Sequence, residues 1–389
     1  MNLKRWIALL LTVVLAAALL TACGGKNNAQ DNDGESQPAD STGEAGQGFH
    51  IKNASNFDIQ YLADGVKLLT DSAGRELLLT PEGTAVPTGY EDAVKVSTPI
   101  KRAMFTSTTH VGFLESLEDA GLYGSIAALT TEESQWSNQA VLDGFASGQI
   151  TYVAQDTWTA GDLEAVITAA PDLVFLDTSR EEGMALAGML DQVGIPYVAA
   201  SEWSESGSEA YLEWMKFFAA FYNLDEKADS LYDAGLSRLE DLYTQMASIP
   251  ENERPVVAFG MVFGGVVYTQ AGNSTIAKQL ERAGAVYALK DLEGEGAVQI
   301  GMEEFLDKCK DADVLIYDSL PQYMMGTLLD EDPLFAEFKA YQNGRVFTMD
   351  NGYYMKSAQV VEKFEDIVAI CHPELEENHQ FTIYQPLGE

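Results

Sequence analysis

The 389-residue chain contains few basic residues, histidines and cysteines. It has 23 lysines and arginines against 60 aspartates and glutamates, so its formal net charge is −37. A surface of this sign repels phosphate backbones, which argues against a nucleic-acid partner. Only three cysteines occur, and none has Cys-x-x-Cys spacing. They are too few for a disulfide-stapled scaffold, and the sequence leaves open whether Cys309 and Cys371 pair.

Motifs of common catalytic and metal sites are also absent from the sequence. It contains no P-loop, no His-Glu-x-x-His pair, no EF-hand loop and no Gly-x-Ser-x-Gly elbow. Of the four histidines only His110 lies in a suitable place, whereas a zinc or manganese site would require two or three. We therefore predict a protein that is not an enzyme and has no cofactor of its own. The enzymatic alternative is a hydrolase that uses Ser107 and His110.

The only apolar run of note is at the start of the chain, where two basic residues precede residues 6–20. A charged segment, a short apolar segment and small residues at a cleavage site are typical of a secretory signal. The alternative, a transmembrane helix, would need a longer run. The sequence Leu20-Thr-Ala-Cys23-Gly resembles the bacterial lipobox, in which the cysteine is lipidated and becomes the first mature residue. We predict a signal peptide at 1–22 and an exported protein anchored through Cys23 at the outer face of the cell membrane.

The next segments differ sharply in composition. Residues 23–48 are rich in Gly, Asn, Asp and Ser and have almost no large apolar side chains, which predicts a flexible tether. An N-terminal lobe is predicted for residues 49–205. It begins with a ribbon at 50–92, because apolar residues alternate there around turns at Asp64-Gly65 and Ala73-Gly74, a pattern typical of antiparallel strands.

After Pro99 the sequence alternates short apolar strands with helical stretches, which predicts an α/β fold. This pattern occurs twice in the same order. In each half an aspartate precedes a buried strand and a second aspartate follows it five residues later, at Asp172 and Asp177 and again at Asp313 and Asp318. The repeat predicts two similar lobes, with the second at residues 250–389; chance similarity of generic α/β units is the alternative.

Residues 206–249 are predicted to form a helical backbone between the lobes. Ser206-x-x-Glu209 matches a capping box, and apolar residues then recur at intervals of three and four. Asn223-Leu-Asp225 offers a break in this pattern. A single helix over 225–247 would be about 35 Å long, enough to run along a whole lobe. Lobes joined by a rigid helix should open and close only slightly.

Several segments together resemble a known family, the solute-binding lipoproteins of ABC importers for ferric siderophores, haem and vitamin B12. The resemblance extends from about Lys95 to Leu387. The segments that carry it are Pro99-Ile-Lys-Arg, Leu163-Glu-Ala-Val-Ile-Thr-Ala-Ala-Pro-Asp-Leu-Val, the linking helix, Ala271-Gly-Asn-Ser, Glu303 to Asp313, Asn343-Gly-Arg-Val-Phe and His372-Pro-Glu-Leu.

The resemblance implies a monomeric receptor that captures an iron complex, a ferric siderophore or haem, in a cleft between its lobes. Its partners would be the permease and ATPase of the same importer, and its ligand a small-molecule metal chelate. Two alternatives are a corrinoid receptor and a surface lipoprotein that binds a protein or glycan and transports nothing. A ligand of high affinity in the cleft would exclude the second of these.

Ligands of open α/β sheets bind outside the carboxyl ends of the strands, which selects the cleft loops. The residues that we predict to contact ligand are Thr108, Thr109, His110, Trp136, Trp158, Tyr268, Asn273, Tyr317, Tyr353 and Tyr354. His110 could be an axial ligand of haem iron, a hydrogen-bond donor to a siderophore, or an ordinary residue at a helix start. Tyr268, Tyr353 or Tyr354 could ligate haem as phenolate. Otherwise no direct metal ligand is predicted.

In the resembled family an acidic residue at the tip of each lobe contacts arginines of the permease. Carried over by motif, these residues are Glu164 and Glu303, with Glu304 a rival for Glu303. Carboxylate and guanidinium pairs fix register and speed association. The alternative is that these are ordinary first-turn carboxylates, stabilised by the helix dipole.

The charge of the cleft loops bears on the type of cargo. An anionic catecholate siderophore would require clustered arginines, and the selected loops contain only Arg180 and Lys356. This composition disfavours catecholates and leaves neutral hydroxamate chelates, haem and corrinoids as candidates.

Overall fold

Sixteen β-strands and eleven α-helices occur in the part of the chain described by the structure, a computed structural model that covers residues 50–117, 121–154, 160–178, 181–375 and 378–388. The predicted signal peptide and tether, with Cys23, lie outside the described residues, as does Trp158. Across the described segments, no helix combines the length and the hydropathy needed to cross a membrane.

The first sheet is the predicted ribbon. Its strands are β1 (Asp58–Tyr61), β2 (Lys67–Thr70), β3 (Glu76–Pro81) and β4 (Val94–Thr98). The first three are antiparallel, as predicted, and β4 adds a parallel strand against β3. The turn between β1 and β2 is left-handed at Asp64 and Gly65, with φ of 58° and 75°, a conformation that glycine adopts without strain. The ribbon shares an apolar core with the lobe that follows it.

The N-terminal lobe contains a parallel five-stranded sheet with helices on its faces. Its strands are β5 (Ala103–Phe105), β6 (Ile126–Leu129), β7 (Thr151–Tyr152), β8 (Leu173–Leu176) and β9 (Tyr197–Ala199), and its helices are α1 (Thr108–Ser116), α2 (Gln139–Ser147), α3 (Ala160–Ala169) and α4 (Glu181–Val193). The strand order is β7-β6-β5-β8-β9. Strands β6 and β8 are continuously apolar and wholly buried, as expected for parallel strands covered on both faces.

The next helices are α5 (Ser208–Ala220) and α6 (Asp225–Ala247). Helix α6 has the predicted bounds, and the break occurs at the predicted place, where Asn223 has a φ of 56°. The predicted capping box does not form. Helix α5 begins after Gly207, which is its N-cap and has no side chain to accept a hydrogen bond, so Ser206 lies outside the helix.

Helix α5 is the centre of the molecule. Eleven of its thirteen residues are buried, which is typical of a helix packed on all sides. Its aromatic side chains form a continuous cluster with both neighbouring sheets: the ring of Trp214 lies 4.8 Å from that of Phe57 in the ribbon, and the ring of Phe218 lies 5.4 Å from that of Phe175 in β8. This cluster fixes the ribbon to the N-terminal lobe.

The C-terminal lobe contains a seven-stranded mixed sheet. Its strands are β10 (Val256–Phe263), β11 (Val266–Gln270), β12 (Val286–Tyr287), β13 (Ala297–Ile300), β14 (Val314–Tyr317), β15 (Val346–Met349) and β16 (Tyr384–Pro386), and its helices are α7 (Thr275–Arg282), α8 (Met302–Cys309), α9 (Leu328–Glu331), α10 (Lys339–Gln342) and α11 (Val360–Cys371). The order is β13-β11-β10-β14-β15-β16, with β12 paired to β10. Strands β12, β10, β14 and β15 are parallel and form the counterpart of the first lobe.

The repeated aspartates have the same structural role in both lobes. Asp172 donates its N–H to the carbonyl of Arg102 at 2.7 Å, and its carboxylate accepts the N–H of Arg102 at 2.9 Å. Asp313 donates to the carbonyl of Val256 at 2.8 Å and accepts the N–H of Val256 at 2.8 Å. In each lobe the aspartate thus aligns the starts of two parallel strands, and the predicted α/β fold with two similar lobes is confirmed.

Candidate functional site

A cavity of about 270 Å³ lies between elements of the two lobes. One wall comes from the N-terminal lobe and α5, and the other from α7, the turn at residues 353–357 and α11. The residues that line it include Thr109, Trp203, Tyr211, Gln279, Tyr353, Tyr354, Lys356, Lys363 and Ile383. Most are aromatic, hydroxyl-bearing or amide side chains, a composition that suits a large organic ligand.

Direct contacts hold the lobes together beside the cavity. Ser357 donates a hydrogen bond to the carbonyl of Thr109 in α1, and Gln279 Nε2 donates to Ser208 Oγ in α5 at 3.0 Å. Gly112 permits this approach, because a Cβ at that position would lie 2.6 Å from the carbonyl oxygen of Met355. Any larger residue would push α1 away from the turn of the other lobe, so glycine is required here.

The rim of the cavity carries two exposed aromatic rings. Trp203 is 56% exposed and Tyr354 is 47% exposed, unusually high for side chains of this size. Burial of its hydroxyl end raises the pKa of Tyr354 to about 12, and the nearby Asp318 carboxylate adds to the shift. The phenol is therefore protonated at neutral pH in the absence of a ligand.

The structure brings three of the predicted contact residues into the cavity wall, namely Thr109, Tyr353 and Tyr354. Thr108 is half-buried at the start of α1, Tyr268 is half-buried in β11 and Asn273 is exposed before α7, and none of these lines the cavity. Trp158 and Arg180 lie outside the described residues.

Two predicted contact residues are instead part of the core. Tyr317 is 1% exposed in β14, and its hydroxyl accepts the N–H of Val262 at 3.1 Å. Trp136 is also buried, with Nε1 donating to the carbonyl of Thr131 at 3.3 Å. Because both side chains turn inward and use their polar atoms within the protein, neither is placed to touch a ligand in this cavity.

His110 likewise faces the interior. Its ring is 1% exposed, tilted against Phe218 with centroids 5.7 Å apart, and Nε2 lies 3.2 Å from the buried Glu202 carboxylate, an ion-pair distance without hydrogen-bond geometry. Thr109 donates a hydrogen bond to the other oxygen of Glu202. This placement fits the third alternative, a residue of the first helical turn, and offers neither ring nitrogen to a haem iron or siderophore in the cavity.

The hydrolase alternative gains no support from this region. Ser107 is the N-cap of α1: its Oγ accepts the N–H of Thr109 at 3.3 Å and lies 2.7 Å from Thr109 Oγ1. The ring nitrogens of His110 form no hydrogen bond to Ser107. A serine nucleophile and its base must be hydrogen-bonded partners, and these two residues are not.

Sequence reasoning missed Trp203 and Lys363, for different reasons. Trp203 follows β9, so the same rule that selected the other loops would have found it once that strand was recognised. Lys363 lies on α11, and a rule about loops after strands has no means of selecting a side chain from the body of a helix. Its presence changes the charge of the cavity wall.

Asp318 follows β14 and is held in a poorly solvated position behind the cavity. Burial raises the pKa of its carboxyl to about 6, although Lys363 acts in the opposite direction. A carboxyl whose pKa is higher in the folded than in the unfolded state contributes stability below its unfolded pKa. That contribution is lost as the pH rises through about 6.

We therefore expect Asp318→Asn to stabilise the protein at pH 7 by up to about 3 kcal/mol, since roughly two pKa units at about 1.4 kcal/mol each are removed. The gain should shrink steadily between pH 7 and pH 4. Urea unfolding of both proteins across this range measures it, with Asp307→Asn on the exposed face of α8 as control. An effect of Asp318→Asn that is equal at pH 7 and pH 4 would contradict this assignment.

The described segments contain no second candidate site, either for a metal ion or at a cysteine thiol. No group of three or more His, Cys, Asp or Glu residues is arranged there to hold a metal ion. Cys309 and Cys371 are both buried and do not pair with each other, and burial raises the pKa of each thiol to about 12.

Comparison with known proteins agrees with this architecture. The periplasmic binding protein family matches residues 110–353. An uncharacterized lipoprotein of Methanocaldococcus jannaschii is 27% identical over 321 residues, which is 79% of this chain and 75% of the relative.

Two solved structures share the fold at low identity. The CeuE protein of Helicobacter pylori with bound Ni(II) superposes with a TM-score of 0.55 at 13% identity, over 76% of this chain and 92% of that one. A periplasmic heme binding protein of Pseudomonas aeruginosa superposes with a TM-score of 0.53 at 18% identity, over 70% and 93%.

A two-lobed α/β body with a cavity between its lobes is the architecture of a solute-binding protein. The chain belongs to the periplasmic binding protein family. The predicted resemblance is thereby confirmed at the level of the family, and membership of a family of binding proteins supports the prediction that this protein is not an enzyme.

Proposed function

We propose that this protein is a lipid-anchored, extracellular receptor that captures an iron complex, a ferric siderophore or haem, and delivers it to the permease of an ABC importer. The observation that carries the proposal is the cavity between the lobes, whose rim presents Trp203 and Tyr354 to solvent. Exposed aromatic faces beside hydroxyl and amide groups suit a chelate with a large organic surface. The fold shared with a heme binding protein and with a Ni(II)-bound protein supports the same class of cargo.

The proposed location at the membrane is inferred from the sequence at the start of the chain. The lipobox-like sequence ending at Cys23 would place a lipid anchor there, and relatives named as lipoproteins support this reading. A receptor anchored in this way and tethered by residues 23–48 would stay close to its permease.

Two exposed carboxylates are the proposed contacts with the permease. Glu164 lies on α3 and Glu303 in the first turn of α8, and both side chains are exposed. Glu304 is less suitable, because it already lies 3.8 Å from Lys308 in an ion pair along the helix. Uptake would also need the ATPase of the importer, so the receptor itself supplies only reversible binding and a docking surface.

A thermal-shift panel tests the proposal. The chain from Gly24 onward, which retains every described residue, is heated with haemin, cobalamin, and ferric hydroxamate and catecholate siderophores. A ligand at a hundred times its Kd should stabilise the protein by about 2.7 kcal/mol, which is readily measured. A shift with an iron complex supports the proposal, and one with cobalamin alone would indicate the corrinoid alternative.

The variant Trp203→Ala is measured beside the wild type in this panel. Its side chain is exposed on the rim, so its removal should weaken binding without unfolding the protein. No shift with any chelate would contradict the proposed function and favour a surface lipoprotein that binds a protein or glycan.

A further inference from the structure

Lys363 differs from Lys67 and Lys216, the two lysines that are fully buried among the described residues. The buried Lys67 lies 2.7 Å from Asp225, and the buried Lys216 lies 2.9 Å from Asp229. Lys363 is half-buried and lines the cavity, yet no carboxylate among the described residues lies within ion-pair distance of its ammonium group. The Asp318 carboxyl acts on Lys363 electrostatically but forms no ion pair with it.

The contacts that Lys363 does make are neutral. Its ammonium group donates a hydrogen bond to the hydroxyl of Tyr353 and lies 4.5 Å from the centre of that ring. These contacts orient the charge without neutralising it. The second lysine of the cavity differs, because Lys356 pairs with Asp350 at 2.6 Å and donates to the carbonyl of Thr382.

A rigid support holds Lys363 in the cavity wall. One turn further along α11, the fully buried Asp366 accepts the N–H groups of Ile383 at 2.6 Å and Tyr384 at 2.9 Å. This carboxylate fixes the final strand to α11, so the wall that carries Lys363 is packed on both sides. Because α11 is fixed in this way, the ammonium group of Lys363 is held at the cavity wall, where a ligand can contact it.

We infer that the cavity accepts an anionic chelate and that Lys363 supplies the positive charge that recognises its acidic group. The inference rests on the proposed function and specifies the cargo of the same cavity. Lys363 lies on the C-terminal wall of the cavity, beyond residues 110–353, the part matched by the family. A charge-assisted hydrogen bond to an ammonium group is among the stronger single contacts that a cleft offers.

Matched ligand pairs test the inference directly. Haemin is compared with haemin dimethyl ester, and the N-succinyl derivative of ferrioxamine B, which carries a carboxylate, with the cationic ferrioxamine B itself, by titration against the chain from Gly24 onward. The wild type should bind the anionic member of a pair about tenfold more tightly or better, the usual range for a hydrogen bond to a charged group. Lys363→Met should remove this preference, and Lys363→Arg should retain it. Lys278→Met, at an exposed position of α7, removes the same charge outside the cavity and should change nothing.

The outcomes separate this inference from the proposed function. The inference is overturned if the wild type binds both members of a pair with equal affinity, or if Lys363→Met loses affinity equally for both. Neither result contradicts the proposed receptor function. Failure of the wild type to bind any of the four ligands, or any iron complex of the thermal-shift panel, contradicts both. Should Lys363→Met fail to fold, the ratio of affinities in the wild type decides, and its salt dependence must follow the charge of the ligand.

Discussion

Glu213→Ala should lower the free energy of unfolding by about 3–5 kcal/mol, the usual cost of breaking a buried charged network. The Glu213 carboxylate has no solvent exposure and accepts the backbone N–H groups of Lys52 at 2.9 Å, Asn53 at 2.7 Å and Ala54 at 3.0 Å. Alanine would leave three amides without an acceptor. It would also leave Lys216, 3.3 Å from this carboxylate, with one anionic partner fewer. Urea unfolding measures the loss.

Glu226→Ala is the matched control, since Glu226 is an exposed glutamate in the first turn of α6 and its removal should be nearly neutral. The Glu213 variant should also become sensitive to protease within residues 50–57. A loss of less than 1 kcal/mol with an unchanged digestion pattern would show that these hydrogen bonds are replaced by water at little cost.

This attachment has a consequence for the receptor. Glu205, which lines the cavity, accepts the N–H groups of Ser55 and Asn56 at 3.0 Å and the indole N–H of Trp214 at 3.0 Å. Residues 52–56 are therefore fixed to Glu213 on α5 and to Glu205 shortly before it, next to the cavity wall.

Most of the fold could be predicted from the sequence because its determinants are local. Alternating apolar residues around Asp64-Gly65 and Ala73-Gly74 specified the ribbon, and continuous apolar runs between aspartates specified the buried strands. The long helix over 225–247 followed from its apolar spacing and the break at Asn223. The start of α5 was misassigned because a serine and a glutamate three residues apart form a capping box only if the first has cap geometry, which Gly207 adopts instead.

The site could be predicted only in part. The rule that ligands bind beyond strand ends selected edges of both sheets, but it carries no information on which way a side chain points. Tyr317 is the last residue of β14 and faces the core, whereas Tyr354 follows β15 and faces the cavity. His110 shows the same limit, since a polar side chain at a helix start can also turn inward and lie against a buried carboxylate such as that of Glu202.

The loops that follow the strands supply only part of the charge of the cavity wall. Lys356 was recognised, yet its charge is already balanced by Asp350. Lys363, four residues into α11, forms no ion pair with a carboxylate of the described residues. From the loops, neutral hydroxamate chelates, haem and corrinoids are candidates, and the anionic class of cargo that we infer favours haem among them. Which of the two lysines forms an ion pair depends on contacts in the folded structure, and residue spacing in the sequence does not predict these contacts.

The double variant Glu164→Ala with Glu303→Ala should reduce uptake of cargo tenfold or more while leaving ligand affinity unchanged. Each substitution would remove one charge-assisted contact with a permease arginine. Such contacts govern the rate of association and the register of the two proteins. Both residues are remote from the cavity lining. Uptake into proteoliposomes that contain the partner permease and ATPase measures the first quantity, and ligand titration measures the second.

A second double variant, Glu226→Ala with Glu240→Ala, removes two exposed carboxylates from α6 and should transport normally, which excludes a general effect of net charge. Raising the salt concentration should lower uptake by the wild type more than by the Glu164 and Glu303 variant, because the variant has already lost the attraction that salt screens. Transport at the wild-type rate by the Glu164 and Glu303 variant would rule out these two residues as the docking contacts, and Glu304 would then be the next to replace.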